Sequence, residues 1–183
     1  QAPAPRSARL LPRSLRVPGI AFGDDRMVAV GNNLYFAATD PLHGQELWKS
    51  DGTTAGTALV ADIHPGLSGS SPFQLQPVSL PSGPRLLFMA RDATRQAAVY
   101  VSDGTSAGTT RRSPTANDLG LLGKATSLGQ LIAFALGEPW VPDGTVTGTR
   151  QLLDLRPGLE PSRSDQFVTH PSGQFVLFSA NDG

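Results

Sequence analysis

Apolar residues occur along this chain in short runs, separated by turns rich in glycine, proline, asparagine and aspartate. The first clear runs are residues 27–30, 34–38, 45–49 and 58–63. Runs of four to six residues bounded by such turns indicate short β-strands, since an amphipathic helix repeats its apolar residues every ~3.6 positions over a longer stretch. No segment has a sustained helical period. The pattern therefore predicts an all-β protein.

One apolar triplet recurs along the chain with a phenylalanine at its end. These residues are Phe36, Phe88, Phe134 and Phe178, at intervals of 52, 46 and 44 residues. The spacing indicates a repeated structural unit, with the phenylalanine at a fixed position in its second strand. We expect all four rings to lie in the hydrophobic core.

A second series consists of Asp-Gly-Thr turns. They occupy residues 51–53, 103–105 and 143–145, so that their starts are 52 and 40 residues apart. Aspartate tolerates a left-handed backbone and glycine adopts it freely, which suits both to the turn between two antiparallel strands. Phe36 and Phe88 precede their turns by 15 residues but Phe134 precedes its turn by nine, so the third unit is shortened between its second and third strands.

Four antiparallel strands in about 45 residues are typical of a β-propeller blade. We predict an all-β, β-propeller-like fold with about three and a half four-stranded blades, which is an incomplete ring. The repeat domain is expected over 21–183, with blades at about 27–63, 74–114, 124–155 and, in part, 166–183.

The N-terminal segment 1–20 is a candidate for the outer strand that closes the ring. Its leucines at 10, 11 and 15, followed by a proline and a glycine, resemble the run at 152–158. We therefore predict an outer strand over 8–17. At least one strand would still be missing, so either the chain is a fragment or a partner completes it. The start at Gln1 is consistent with a mature N-terminus left by signal-peptide cleavage or with an artificial start. Signal-peptide cleavage would predict a secreted or cell-surface protein.

Composition excludes several classes of function. Fifteen basic and fifteen acidic side chains give zero net charge at pH 7, which leaves no electrostatic footprint for nucleic acid. The chain has no cysteine, so disulfides, thiolate nucleophiles and cysteine-based metal sites are excluded. No apolar run reaches the ~20 residues of a membrane-spanning helix.

The segment Glu46-Leu47-Trp48-Lys49-Ser50-Asp51-Gly52-Thr53-Thr54-Ala55-Gly56-Thr57 resembles the ELWxxDGTxxGT repeat of large secreted bacterial proteins. The second copy has Ala98-Val99-Tyr100 in place of Glu-Leu-Trp, and the third keeps Trp140 after Glu138-Pro139. The resemblance covers roughly 27–183. It implies a propeller-like extracellular repeat protein, and the family supplies no catalytic residues because it has no agreed enzymatic activity.

The repeated aspartates Asp51, Asp103 and Asp143 are weak calcium candidates, since calcium takes carboxylate and backbone oxygens. No copy has the ladder of alternating aspartates found in calcium loops, and Asp-Gly is common in hairpin turns. We therefore interpret the repeated positions as a structural motif. Its residues are Trp48, Asp51, Gly52, Thr53, Tyr100, Asp103, Gly104, Thr105, Trp140, Asp143, Gly144 and Thr145.

Three aromatic residues, Trp48, Tyr100 and Trp140, share the position just before the turn. Exposed rings there would stack on sugars, whereas buried rings would fill the space between adjacent blades. We expect the buried arrangement. A second aspartate series, Asp40, Asp92 and Asp182, is expected to cap the second strand or to bond to the neighbouring turn.

No catalytic constellation emerges from the remaining polar residues. The three histidines share no register and no metal-ligand spacing, and the Gly/Ser-rich run 66–71 is interpreted as a flexible linker and not as a nucleophile elbow. Glycoside cleavage would need two acids that flank a pocket. The three glutamates, Glu46, Glu138 and Glu160, give little support for such a pair, since Glu46 is part of the repeat motif.

Three functions remain open. The first is a non-enzymatic module for protein binding or assembly, with no cofactor, whose partner is another polypeptide or the remainder of the same propeller. The second is a carbohydrate-binding or calcium-dependent surface adhesin. The third is a fragment of a propeller enzyme whose active site lies elsewhere.

Overall fold

The computed structural model describes residues 21–22, 27–113, 122, 125–128, 131–136, 138–142, 149–152, 165–172 and 174–180. Within these ranges the chain forms fifteen strands and no helix, which confirms the predicted all-β class. The predicted outer strand at 8–17, the third Asp-Gly-Thr turn at 143–145 and Asp182 lie outside the described residues.

The first sheet contains β1 to β5. Their bounds are Ala21–Phe22, Val28–Val30, Asn33–Asp40, Gly44–Ser50 and Ala58–Ala61. Strand β3 pairs with β1 and β2 along one edge and with β4 along the other, and β5 extends the sheet beyond β4. The hairpin between β2 and β3 turns through Gly31, whose φ of 60° places it in the left-handed region that glycine favours.

Two further sheets repeat this antiparallel order. The second has β6 Phe73–Leu80, β7 Gly83–Arg91, β8 Ala97–Ser102 and β9 Thr110–Arg111. The third has β10 Thr126–Leu128, β11 Leu131–Leu136, β12 Glu138–Pro142 and β13 Thr149–Gln151. A hairpin of β14 Asp165–Thr169 and β15 Val176–Ser179 forms the fourth sheet. The predicted four-stranded unit is therefore confirmed in the second and third sheets, whereas the first sheet has β1 as a fifth strand and the fourth has two strands in the described residues.

The two repeated series of aromatic residues are cross-strand partners. Phe36 pairs with Trp48 and Phe88 with Tyr100, each twelve residues further along the chain. In the third sheet Phe134 pairs with Trp140, only six residues away. The predicted shortening between the second and third strands is real, and it removes hairpin residues without changing which aromatic lies opposite the phenylalanine.

The hydrophobic core lies between the sheets. Tyr35 and Leu47 on one face of the first sheet pack against Phe88 and Tyr100 on the second. The Phe88 and Tyr100 rings are stacked with their centroids 5.6 Å apart. Because successive side chains of a strand point to opposite faces, the next residue, Phe36, lies on the other face of the first sheet.

The same arrangement recurs at the next two interfaces. Leu87 of the second sheet packs in one cluster with Phe134 of the third. Ala133, on the opposite face of the third sheet, packs with Phe178 of the fourth. The repeated phenylalanine of each of these sheets therefore faces the preceding sheet. The first strands of successive sheets, β2, β6, β10 and β14, also lie side by side in this order.

The aromatic ring before each turn is buried or half-buried, but in the part of the chain that the structure describes only Tyr100 and Trp140 fill the space between two sheets as predicted, and the prediction is wrong for Trp48. Trp48 is 8% exposed and lies in a cluster with Phe36 and Ala38 on the outer face of the first sheet. Tyr100 is also 8% exposed, and Trp140 is half-buried against the core between the second and third sheets. These positions give the rings a packing role and leave little of Trp48 or Tyr100 available to a sugar.

Replacing Trp48 with alanine is expected to lower the free energy of unfolding by roughly 3–5 kcal/mol, because it removes a large buried ring and leaves a cavity. Urea titration followed by circular dichroism would measure the change. Leu42→Ala is the control, since Leu42 is 74% exposed in the β3–β4 loop. A loss for Trp48→Ala below about 1 kcal/mol would contradict the buried position, because that is the range of surface substitutions.

Candidate functional site

The Asp-Gly-Thr turn of the first sheet is closed by its own side chains. Asp51 Oδ1 accepts the Thr53 N–H at 2.9 Å and the Thr53 hydroxyl at 2.7 Å. Thr53 Oγ1 then accepts the Gly56 N–H at 2.9 Å. A Cβ on Gly56 would lie 2.0 Å from Asp51 Oδ1, so a larger residue there would displace this carboxylate from its hydrogen bonds.

A second set of hydrogen bonds joins the two ends of the same turn. The Thr57 hydroxyl donates to the Thr53 carbonyl at 2.6 Å. Its single proton is thereby used, so the Ser50 hydroxyl is the donor in the 2.7 Å contact between Ser50 Oγ and Thr57 Oγ1. Ser50 Oγ in turn accepts the Gly52 N–H at 3.1 Å. Ser50, Asp51, Thr53 and Thr57 thus each have a specific hydrogen-bond partner within the turn.

The second copy reproduces this network. Asp103 Oδ1 accepts the N–H and the hydroxyl of Thr105 at 2.9 and 2.7 Å, and Thr105 Oγ1 accepts the Gly108 N–H at 2.9 Å. The Thr109 hydroxyl donates to the Thr105 carbonyl at 2.7 Å. Two turns with the same sequence pattern therefore have the same hydrogen bonds, which accounts for the repeat without a bound ligand.

The hydrogen bonds also set the charge of the aspartates. The Thr53 hydroxyl and N–H lower the pKa of Asp51 below its usual value. The Thr105 hydroxyl does the same for the pKa of Asp103, although partial burial opposes it. Both carboxylates therefore contribute stability above the ordinary aspartate pKa, and this contribution is lost as the pH falls through the lowered value. Among the described residues no three acids or histidines converge on a possible metal position, and calcium binding stays a prediction.

The second turn also fastens the second sheet to the first. The Lys49 ammonium donates to the Gly104 carbonyl at 2.7 Å. Gly104 has a φ of 89°, and a Cβ there would lie 2.2 Å from the Tyr35 hydroxyl oxygen. Glycine is thus required at this point both by the turn and by the close approach of the first sheet.

Asp40 and Asp92 close the loop before the third strand, as the sequence predicts. Asp40 Oδ1 accepts the N–H groups of Leu42 and His43 at 2.7 and 2.8 Å. Asp92 Oδ1 accepts the N–H of Thr94 at 2.8 Å. Such aspartate-capped turns fix short loops without tertiary contacts.

Glu46 has a structural role that the sequence analysis missed. Its side chain is fully buried, and its carboxylate accepts the N–H groups of His64 at 3.0 Å and Ser70 at 2.9 Å together with the Ser70 hydroxyl. Burial raises the pKa of Glu46, and the hydrogen bonds from Ser70, His64 and Ile63 partly offset this rise. A glutamate held in this way connects the first sheet to the segment that leads to the second.

The Gly/Ser-rich run 66–71 is a fixed connection, and its interpretation as a flexible linker is wrong. Ser70 is fully buried, its carbonyl accepts the Arg91 N–H at 2.8 Å, and the Ser71 N–H donates to the Gln45 carbonyl at 3.0 Å. Gly69 lies so close to the first sheet that a Cβ would be 2.3 Å from the Gln45 nitrogen. Glycine here allows close packing against the first sheet, whereas the glycine and serine content of the run had suggested flexibility.

The comparisons with known proteins add no family. The chain matches no protein-family model, no curated protein and no solved structure. Within the described ranges no helix is long and apolar enough to cross a membrane. The resemblance to the ELWxxDGT repeat therefore stays an expectation, and function must be argued from the geometry.

The threonine of the Asp-Gly-Thr turn offers a matched pair of substitutions. Thr53→Val removes the hydroxyl that joins Asp51 to Gly56 and is expected to cost about 0.5–1.5 kcal/mol of unfolding free energy. Thr54→Val, on the adjacent exposed residue, should change stability by less than about 0.5 kcal/mol. Chemical denaturation measures both. Equal losses would contradict the hydrogen-bonding role of Thr53.

Glu46→Gln is expected to destabilise the protein by about 1.5–3 kcal/mol at pH 7, because an amide nitrogen would face groups that donate hydrogen bonds. The raised pKa adds a pH signature. The folded protein keeps the Glu46 proton to higher pH than the unfolded chain, so wild-type stability falls as the pH rises from the ordinary glutamate pKa through the folded value.

The advantage of wild type over Glu46→Gln should therefore shrink across that interval in denaturation curves recorded at several pH values. Thr54→Val, which changes an exposed residue of the first turn and removes no ionisable group, is the control and should show no such trend. If the stability curves of Glu46→Gln and wild type run parallel over the whole pH interval, the raised pKa of Glu46 is refuted.

Proposed function

We propose that the chain is a non-enzymatic repeat module for protein binding or assembly, in which the sheets are blades of a larger propeller-like array. The observation that carries this proposal is an exposed apolar face on the fourth sheet. Val168 and Leu177 lie opposite each other on β14 and β15 and are 59% and 60% exposed. Phe175, just before β15, is 45% exposed.

The packing of the other sheets indicates what covers such a face. In each of the first three sheets, one face is covered by the phenylalanine-bearing face of the next sheet, and in the second and third sheets this is the face that points away from the preceding sheet. Val168 and Leu177 occupy this face in the fourth sheet, because Phe167 and Phe178 already pack on the third. The partner that fits is a further sheet of the same repeat, with an aromatic face.

An exposed aliphatic face of this kind favours association. Burying apolar surface contributes about 25 cal/mol per Å², and exposed apolar patches on soluble proteins commonly mark interaction sites. The partner sheet would come from another polypeptide or from the remainder of the same propeller. A secreted or cell-surface location accords with the repeat that the sequence resembles, and it is part of this proposal.

The burial of Trp48 and Tyr100 makes the binding module a better explanation than the carbohydrate-binding adhesin. Sugar recognition by a ring of aromatics needs exposed ring faces, and these two residues are each only 8% exposed. The aspartate of the turn also has its donors within the turn itself, which explains its recurrence without calcium.

Light scattering of the purified chain, with and without calcium, tests the assembly proposal. We expect a mass above the 19.2 kDa of one chain. When no other partner is present, two copies of the chain will associate and bury the exposed face of the fourth sheet. Leu177→Lys should shift the population to monomer, whereas Leu42→Lys, at an even more exposed loop position, should not. A monomer at all concentrations, or equal effects of the two substitutions, would contradict the proposal.

A further inference from the structure

A basic cleft lies where the connection between the first two sheets meets the β7–β8 hairpin. It encloses about 260 Å³. Its walls come from the end of the first sheet, from the Gly/Ser-rich run and from the hairpin. The lining residues are His64, Ser68, Gly69, Ser71, Arg91 and Arg95.

The cleft has positive charge and no acid in its lining. The ion pairs found in the described part of the chain join His43 to Asp40 and Arg111 to Asp92, and neither includes Arg91 or Arg95. Glu46 lies near the same connection, but its carboxylate is buried and accepts hydrogen bonds from the backbone and Ser70. Two arginines therefore line one cleft, and within the described ranges neither forms an ion pair with a carboxylate.

The guanidinium of Arg91 is already held in place. It lies over the Phe73 ring, with its central carbon 5.3 Å from the ring centroid. Stacking uses the face of the guanidinium and leaves the N–H groups at its edge available to an anion. Positioning before binding lowers the entropic cost of holding a ligand.

The backbone around the cleft has an unusual conformation. Ser71 and Arg95 have φ values of 46° and 63°, in the left-handed region that glycine occupies at less cost. The Arg95 N–H donates to the Asp92 carbonyl at 2.8 Å and so closes the hairpin turn, where glycine is the usual residue. An arginine at this position gives up turn stability and adds a charge to the cleft.

Further hydrogen-bonding groups surround the two arginines. Ser68 and Ser71 belong to the lining. The Nδ1 of His64 is buried and, within the described part of the chain, has no hydrogen-bond partner. The cleft thus combines two fixed positive charges with small polar groups and an imidazole.

We propose that this cleft binds a tetrahedral oxyanion, namely a phosphate or sulfate group. Two guanidinium charges match a dianion, and arginine forms paired hydrogen bonds with such oxygens. A volume of about 260 Å³ accommodates the group and some water. This site is separate from the apolar face of the fourth sheet, so the inference goes beyond the assembly proposal and does not depend on it.

Titration of the whole chain with inorganic phosphate and, separately, sulfate tests the proposal by calorimetry and by melting temperature. We expect a dissociation constant on the order of 1 mM. At about ten times that concentration the melting temperature should rise by about 3–6 °C. The relative affinities of the two anions then identify the group that the cleft prefers.

Three substitutions that each remove one positive charge make the test specific. Arg91→Gln and Arg95→Gln should each weaken binding about tenfold or more. Arg150→Gln, at an exposed position on β13, should bind as wild type does. Arg95→Gly adds a check on folding, since it should preserve or raise the melting temperature of the free protein while abolishing the anion effect.

The possible results separate clearly. Binding of phosphate or sulfate that depends on Arg91 and Arg95 but not on Arg150 supports the site. Absence of binding, or equal weakening by all three glutamine substitutions, overturns it. Acetate bound as tightly as sulfate also overturns it, because the cleft would then not select a tetrahedral dianion.

Discussion

The structure depends on covering both faces of each small sheet. A sheet of four short strands with apolar residues on both faces is unstable in water, and it becomes stable only when other surfaces cover those faces. The second and third sheets present a phenylalanine-bearing face to the preceding sheet, and each of the first three sheets presents a largely aliphatic face to the next. In the first sheet Phe36 packs with Ala38 and Trp48 on the outer face. The side chains of Phe88 and Phe134 are accordingly almost fully buried.

The turns make this layered packing possible because they fix the register inside each sheet. A shift of one residue would move every apolar side chain to the wrong face. In the first two sheets the side chains of the Ser-Asp-Gly-Thr turn satisfy one another, so the alignment of the third and fourth strands is set locally. The partner of the phenylalanine is then an aromatic residue in all three sheets, even where the hairpin is shortened.

Most of the fold could be predicted from the sequence because its signals are local and repeated. Turn residues and apolar runs gave the strands, and the spacing of Phe36, Phe88 and Phe134 gave their grouping. The role of Glu46 could not be found in this way, since its partner Ser70 is 24 residues away and outside the repeated pattern. For the same reason the basic cleft has no sequence signature, because Arg91 and Arg95 meet His64 only through packing of the first two sheets.

These differences indicate where function resides in a repeat protein of this kind. Positions shared by the copies are explained by packing and by turn hydrogen bonds, so they carry little information about a ligand. Positions that break the repeat without a structural gain need another explanation. Arg95, which belongs to neither repeated series, occupies a left-handed turn conformation that glycine would adopt at lower cost. The strained turn places a second positive charge beside Arg91. A binding site in the cleft is the simplest physical reason for an arginine at this position.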